Sequence, residues 1–296
     1  MVQKIRDVER QSVFDEFSSK IGEIIVGNVY QIQRDQIFVH TSGGAEFVLP
    51  KSQQLPNDRF RRGESIRGII LNVELSNKGP EIIISRSDDL FLKRLFEKEI
   101  PEIEDDIIEI KGVSRSPGDR SKVVVYSSDP RIDAVGACVG MRGMRVQSIV
   151  QELRGEKIDI VEHSEDAEEY ARRALSPAKI SRIIMNHKEQ QMTIIVADDQ
   201  MSLAIGKKGQ NVKLAAKLVN WQIDIKGETE TRALLELTSP FRKTVPGEKA
   251  FFEAIDACEE LDETVAPALL ENKVRTFNRS SAEASTLART ALTALR

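Results

Sequence analysis

The period of hydrophobic and polar positions changes along the chain and divides it into segments. From Ile21 to Arg86 short runs rich in β-branched residues alternate with polar ones: Ile24 to Ile32, Gln36 to Thr41, Ala45 to Leu49, Ser65 to Val73 and Glu81 to Ser85. Turn signals part them at Ser42-Gly43-Gly44, Pro56-Asn57-Asp58 and Asn77-Lys78-Gly79-Pro80. So many short strands in so short a stretch predict a small closed barrel. Before it, Val2, Ile5, Val8, Val13, Phe14 and Phe17 mark an amphipathic helix over residues 1–19. A helix of that length is marginal alone, so it packs either on the barrel or on something preceding it.

After the barrel the pattern predicts a helix from Asp88 to Lys98, a strand from Ile103 to Gly112, a turn carrying Arg115 and Arg120, and a strand from Lys122 to Tyr126. Asp129-Pro130 reads as an N-cap followed by proline at the first helical position. The helix it opens runs into Gly140-Met141-Arg142-Gly143. Val146, Ile149, Val150 and Leu153 then give a second helix, and Lys157 to Val161 a strand. The same series follows again: a helix from Glu165 to Leu175, strands from Lys179 to Asn186 and Met192 to Ala197, and a helix into Gly206-Lys207-Lys208-Gly209. A helix striped by Val212, Ala215, Ala216 and Val219 and a strand from Trp221 to Ile225 complete it. Only Glu162 to Ser164 separates the two copies, so the units abut and their loops can serve one continuous ligand. Residues 228–296 predict helices around Glu248 to Glu260, Asp262 to Glu271 and Ser281 to Leu295. Their twelve acids against nine bases suit packing on the chain itself or on a protein partner better than binding a polyanion.

The repeated Gly-x-x-Gly is where chemistry enters. Glycines on either side of two residues remove side chains where a sugar-phosphate backbone must come close, and the next helix offers unpaired amide donors at its N-terminus. One such tetrapeptide is weak, because tight interhelical turns match it by accident. Two copies in matching surroundings are specific. The candidate RNA-binding residues are Gly140, Met141, Arg142, Gly143 and Arg145 at the first loop. At the second they are Gly206, Lys207, Lys208, Gly209, Gln210, Asn211 and Lys213. Met141 brings no charge, so the second loop is expected to attract phosphate more strongly. In the barrel, Tyr30, Phe38 and His40 either stack bases on its face or fill its core, and alternation cannot say which. An OB-fold is the commonest small barrel that also binds oligonucleotides.

Net charge is −4, so RNA affinity must come from local patches. Lys207, Lys208, Lys213, Lys217 and Lys226 face one acid, Asp224, across that stretch, whereas Glu99 to Glu109 carries six acids and no base. Cys138 and Cys258 lie far apart without metal-ligand spacing, which argues against a disulfide framework or a zinc site. Both read as small buried groups in a reducing cytosol. No stretch reaches the length of a membrane span, so a soluble, cytoplasmic protein is expected. No catalytic constellation is present. Asp105-Asp106 and Asp198-Asp199 lie in an acidic run and before a helix, and His40, His163 and His187 fall on separate units. The glycine loop also lacks the residues of a phosphate-binding P-loop. No enzyme activity, cofactor or metal is expected.

The two units resemble KH domains of type II, whose Gly-x-x-Gly loop clamps about four nucleotides of single-stranded nucleic acid. With Glu46-Phe-Val-Leu-Pro50, Ser114-Arg-Ser-Pro-Gly118 and Asp129 to Gly140, residues 1 to 227 are similar to the NusA family of bacterial transcription factors. That resemblance implies an α+β multidomain chain. A five-stranded OB-fold barrel (20–87) leads to two tandem type II KH domains (88–162 and 163–227) and a C-terminal helical segment (228–296). Residues 1–19 correspond to the last helix of a polymerase-binding domain. It further implies a monomer that binds nascent single-stranded RNA and bacterial RNA polymerase, with other elongation or antitermination factors as further partners, and that modulates pausing, termination and antitermination. An accessory module of RNA decay or of the ribosome is the alternative. Domain order disfavours it, because the exonucleases that resemble this chain carry one KH unit before the barrel.

Overall fold

The computed structural model describes residues 2–41, 43–76 and 79–232. The expected C-terminal helices and Cys258 lie outside them. Strands β1 (Ile24–Ile32), β2 (Gln36–His40), β3 (Glu46–Pro50), β4 (Ser65–Ser76) and β5 (Gly79–Ser85) close into a barrel in the order β1-β2-β3-β5-β4. All pairs are antiparallel except β3 with β5, which run parallel through Phe47↔Ile82 and Val48↔Ile83. That is the connectivity of an OB-fold. Alternation turns Val29, Val39, Phe47, Leu49, Ile66, Ile70, Ile82 and Ile84 into the core. Gly27 lets strands approach closely, since a Cβ there would meet a Val39 methyl at 2.5 Å and the His40 carbonyl at 2.8 Å. Helix α1 (Val2–Ser18) packs on the barrel: Val13, Phe14 and Phe17 join its core, and Phe17 meets Phe47 edge-on at 5.3 Å.

The first KH unit comprises α2 (Asp89–Glu99), α3 (Pro101–Glu104), β6 (Glu109–Ser116), β7 (Arg120–Tyr126), α4 (Ala134–Val139), α5 (Met144–Glu152) and β8 (Lys157–Glu162). The second comprises α6 (Ala167–Ala174), β9 (Ile180–Asn186), β10 (Gln191–Val196), α7 (Met201–Ile205), α8 (Gln210–Val219) and β11 (Gln222–Gly227). In each sheet the central strand pairs antiparallel with the strand before it and parallel with the strand after the helices.

Two local expectations are corrected. The strand expected from Ile103 begins at Glu109, because Pro101 at the first helical position opens the short α3 and buries Ile103. The cap of α4 is Asp133, whose carboxylate accepts from Gly136 N at 2.8 Å. Asp129 instead accepts from the Arg131 amide and guanidinium.

The three domains share cores and buried charges. Leu55 and Ile69 of the barrel belong to the core of the first KH unit, and Val124 and Val161 of its sheet belong to the core of the second. Arg86 is 1% exposed and bonds Asp58 Oδ2 at 3.0 Å, Arg67 O at 2.6 Å, and the Glu152 carboxylate and carbonyl at 2.8 and 2.7 Å. Its guanidinium also lies over the rings of Phe60 and Phe91. Arg115 forks onto buried Glu156 at 2.8 and 2.9 Å, which fixes the β6–β7 turn. Lys122, buried on β7, donates to Asp159 at 2.9 Å. Burial pushes its ammonium below the ordinary lysine range, and the Asp159 charge opposes that shift.

Candidate nucleic-acid interface

The two Gly-x-x-Gly turns adopt one backbone conformation. Gly140 has φ 73° and ψ 175°, and Gly206 φ 74° and ψ 172°, a region essentially closed to residues with a Cβ. Arg142 (φ 53°, ψ 25°) and Lys208 (φ 56°, ψ 28°) are left-handed, and so are Gly143 and Gly209. Successive amides in such turns form a concavity suited to an anion, and each turn leads directly into a helix N-terminus. Absent side chains also let the turn fold onto its helix. A Cβ at Gly140 would lie 2.7 Å from Arg145 Cγ, and one at Gly206 would lie 2.7 Å from Asn211 Cβ.

The turns differ in what they display. Lys207, Lys208 and Lys213 are exposed, and none forms an ion pair among the described residues. At the first turn Arg142 is exposed beside Met141, 76% exposed, and Met144, 65% exposed. Leu203, 48% exposed, flanks the second turn. These side chains leave apolar surface exposed beside both turns. Periodicity missed Met144 and Leu203 because both fall off the buried stripes of their helices; a large apolar residue away from the stripe is the signal that could have found them.

Three further candidates are engaged by other parts of the chain. The Asn211 side chain is buried, and its amide donates to the Leu175, Leu203 and Ala204 carbonyls at 3.2, 3.1 and 3.2 Å, so it braces the turn from below. Arg145 is spent on Glu102 at 2.8 Å and Ala137 O at 2.7 Å. Gln210 donates to Asp119 of the first KH unit at 2.9 Å.

In the barrel, β2 turns Ile37 and Val39 inward and Phe38 and His40 outward. Tyr30 lies beside both on the outer surface, stacked on His40 at 3.8 Å and tilted against Phe38 at 6.0 Å. Its hydroxyl donates to Glu46, and His40 Nε2 lies 3.5 Å from the same carboxylate. Burial, together with the hydrogen bond and charge of Glu46, pushes Tyr30 up to about 12, so it stays neutral across the physiological range. The three rings form one aromatic cluster on the outer face of the barrel.

Residues 86–163 match the family model of a NusA-like first KH domain, and residues 167–233 that of a NusA-like second KH domain. The transcription termination/antitermination protein NusA of Halalkalibacterium halodurans is 48% identical over 235 residues, 79% of this chain and 61% of that protein. Its counterpart in Bacillus subtilis is 47% identical over 79% of this chain and 63% of that protein. That of Borreliella burgdorferi is 39% identical over 81% of this chain and 49% of that protein. The chain therefore spans 49–63% of the length of these relatives. The chain thus carries NusA-like first and second KH domains in tandem and is similar, at 39–48% identity, to curated NusA proteins.

Proposed function

We propose that this chain is a non-enzymatic RNA-binding factor of bacterial transcription. It holds nascent single-stranded RNA on the barrel face and on both Gly-x-x-Gly turns, and associates in the cytoplasm with RNA polymerase to modulate pausing, termination and antitermination. The observation that carries this reading is the pair of matching turns, each at a helix N-terminus and each in a NusA-like KH domain. No helix among the described residues is long and apolar enough to cross a membrane. The assignment of residues 20–87, 88–162 and 163–227 to three RNA-binding domains, and of the turn residues to phosphate contact, belongs to the same proposal.

Changing Lys207 and Lys208 together to Asp tests it at the stronger turn. Single-stranded RNA should bind more weakly, and the slope of log affinity against log salt should flatten, since each lost phosphate contact removes roughly 0.7 of a released counterion. Unchanged affinity in a folded double variant would reject the turn as a clamp. For the partner, binding to core polymerase should exceed binding to ribosomes or degradative enzymes, and a nascent-like RNA should strengthen it. Preference for ribosomes would favour the alternative.

A further inference from the structure

The β6–β7 turn brings a carboxylate to the second Gly-x-x-Gly turn. Asp119 N donates to Ser116 O at 3.0 Å, and Lys157 N donates to Asp119 O at 3.0 Å. The adjoining Gly118 is held by buried Glu156, whose Oε2 accepts from its amide at 2.7 Å, and by Asn57 of the barrel, which donates to its carbonyl at 3.1 Å. Pro56 packs so closely that a Cβ on Gly118 would lie 2.7 Å from its Cδ. Asp119 is itself exposed, and its Oδ2 accepts from Gln210 Nε2 at 2.9 Å.

Gln210 is the first residue of α8, directly after Gly209. Helix α8 is also fixed against the first KH unit: Lys217 donates to Asp89 at 3.1 Å, and Leu218 lies over Gly112 of β6. A full negative charge on a braced turn therefore stands beside the helix end where phosphate would dock. At the first turn Met144 takes the place of Gln210 and holds no acid; the acid there, Glu102, is paired with Arg145 at 2.8 Å.

We propose that Asp119 sets the affinity of the second clamp: the first KH domain supplies a carboxylate that offsets part of the attraction of Lys207 and Lys208 for RNA phosphate. This rests on the RNA reading of that turn and adds a regulator to it. The consequence is a levelling of the two clamps. The doubly basic turn carries an acid from its neighbour, while at the first turn the acid Glu102 is bonded to Arg145 rather than set beside Arg142. Like charges about 6–8 Å apart in a water-like medium change affinity by a factor of about two to three, and salt screens the effect.

The test is binding of a short, mixed-sequence single-stranded RNA to the full chain, at low and at high salt. The variants are Asp119→Asn, Lys207→Asp/Lys208→Asp, and the triple combination. Asn keeps the shape of the side chain and an oxygen that accepts from Gln210, so charge is the main change. Asp119→Asn should tighten binding about two- to threefold at low salt, lose that gain at high salt, and show none of it in the double-lysine background. If Asp119→Asn binds like the wild type or more weakly while the lysine variant still loses affinity, the inference falls and the clamp stands. The inference also falls if the gain persists without the lysines. If the lysine variant binds normally, the clamp reading fails and the inference fails with it.

Discussion

Phe38 lies on a strand whose neighbours Ile37 and Val39 fill the barrel, yet its own ring faces outward beside Tyr30. Alternation establishes that Phe38 and Val39 occupy opposite faces, but only barrel closure decides which face is the interior. Because the ring is partly exposed and no part of the barrel core, Phe38→Ala should weaken single-stranded RNA binding by about 1–3 kcal/mol while leaving the fold intact. RNA titration alongside a thermal melt checks this, and a collapsed melting transition would mark the ring as structural. The surroundings of Asn211 were hidden for a related reason. Its place after a glycine turn suggests a surface contact, but the backbone folds over it and consumes its amide.

At the level of elements, most strands and both interhelical turns could be read from period and punctuation, since burial on one face imposes the alternation that betrays them. Boundaries set by a competing local signal could not. Pro101 opens a helix where hydrophobic residues suggested a strand, and Asp133 outcompetes Asp129 as a cap although Asp129 precedes a proline. The bracing of α7 and α8 by Asn211 was equally hidden, because its three carbonyl partners come from the end of α6 and from α7. Asn211→Ala removes these bonds under a turn in which Lys208 already holds a left-handed backbone. It should cost about 1–3 kcal/mol of stability in denaturant unfolding and weaken RNA binding with it. Asn211→Asp should be worse than Ala, because a buried carboxylate would face carbonyl oxygens.

Across the molecule the barrel is joined to the first KH domain by Leu55 and Ile69 in a shared core and by Arg86, and no sequence period announces an arginine that is 1% exposed. Arg86→Met would leave Asp58 buried without its cation, a loss of about 3–5 kcal/mol expected in denaturant unfolding. Adding Asp58→Asn should recover part of that loss, since the orphaned charge is then gone. A double variant no more stable than Arg86→Met alone would show that the contacts to Glu152 and Arg67 dominate. The join between the KH domains is of another kind, because Val124 and Val161 of the first sheet are core residues of the second unit. Cutting the chain in the short connector after Glu162 would strip the second unit of part of its own interior. Swapping that unit between relatives, or expressing it alone, therefore calls for a cut line drawn around the β7–β8 surface rather than through the linker, and hydrogen exchange should find the two KH units opening together as one foldon.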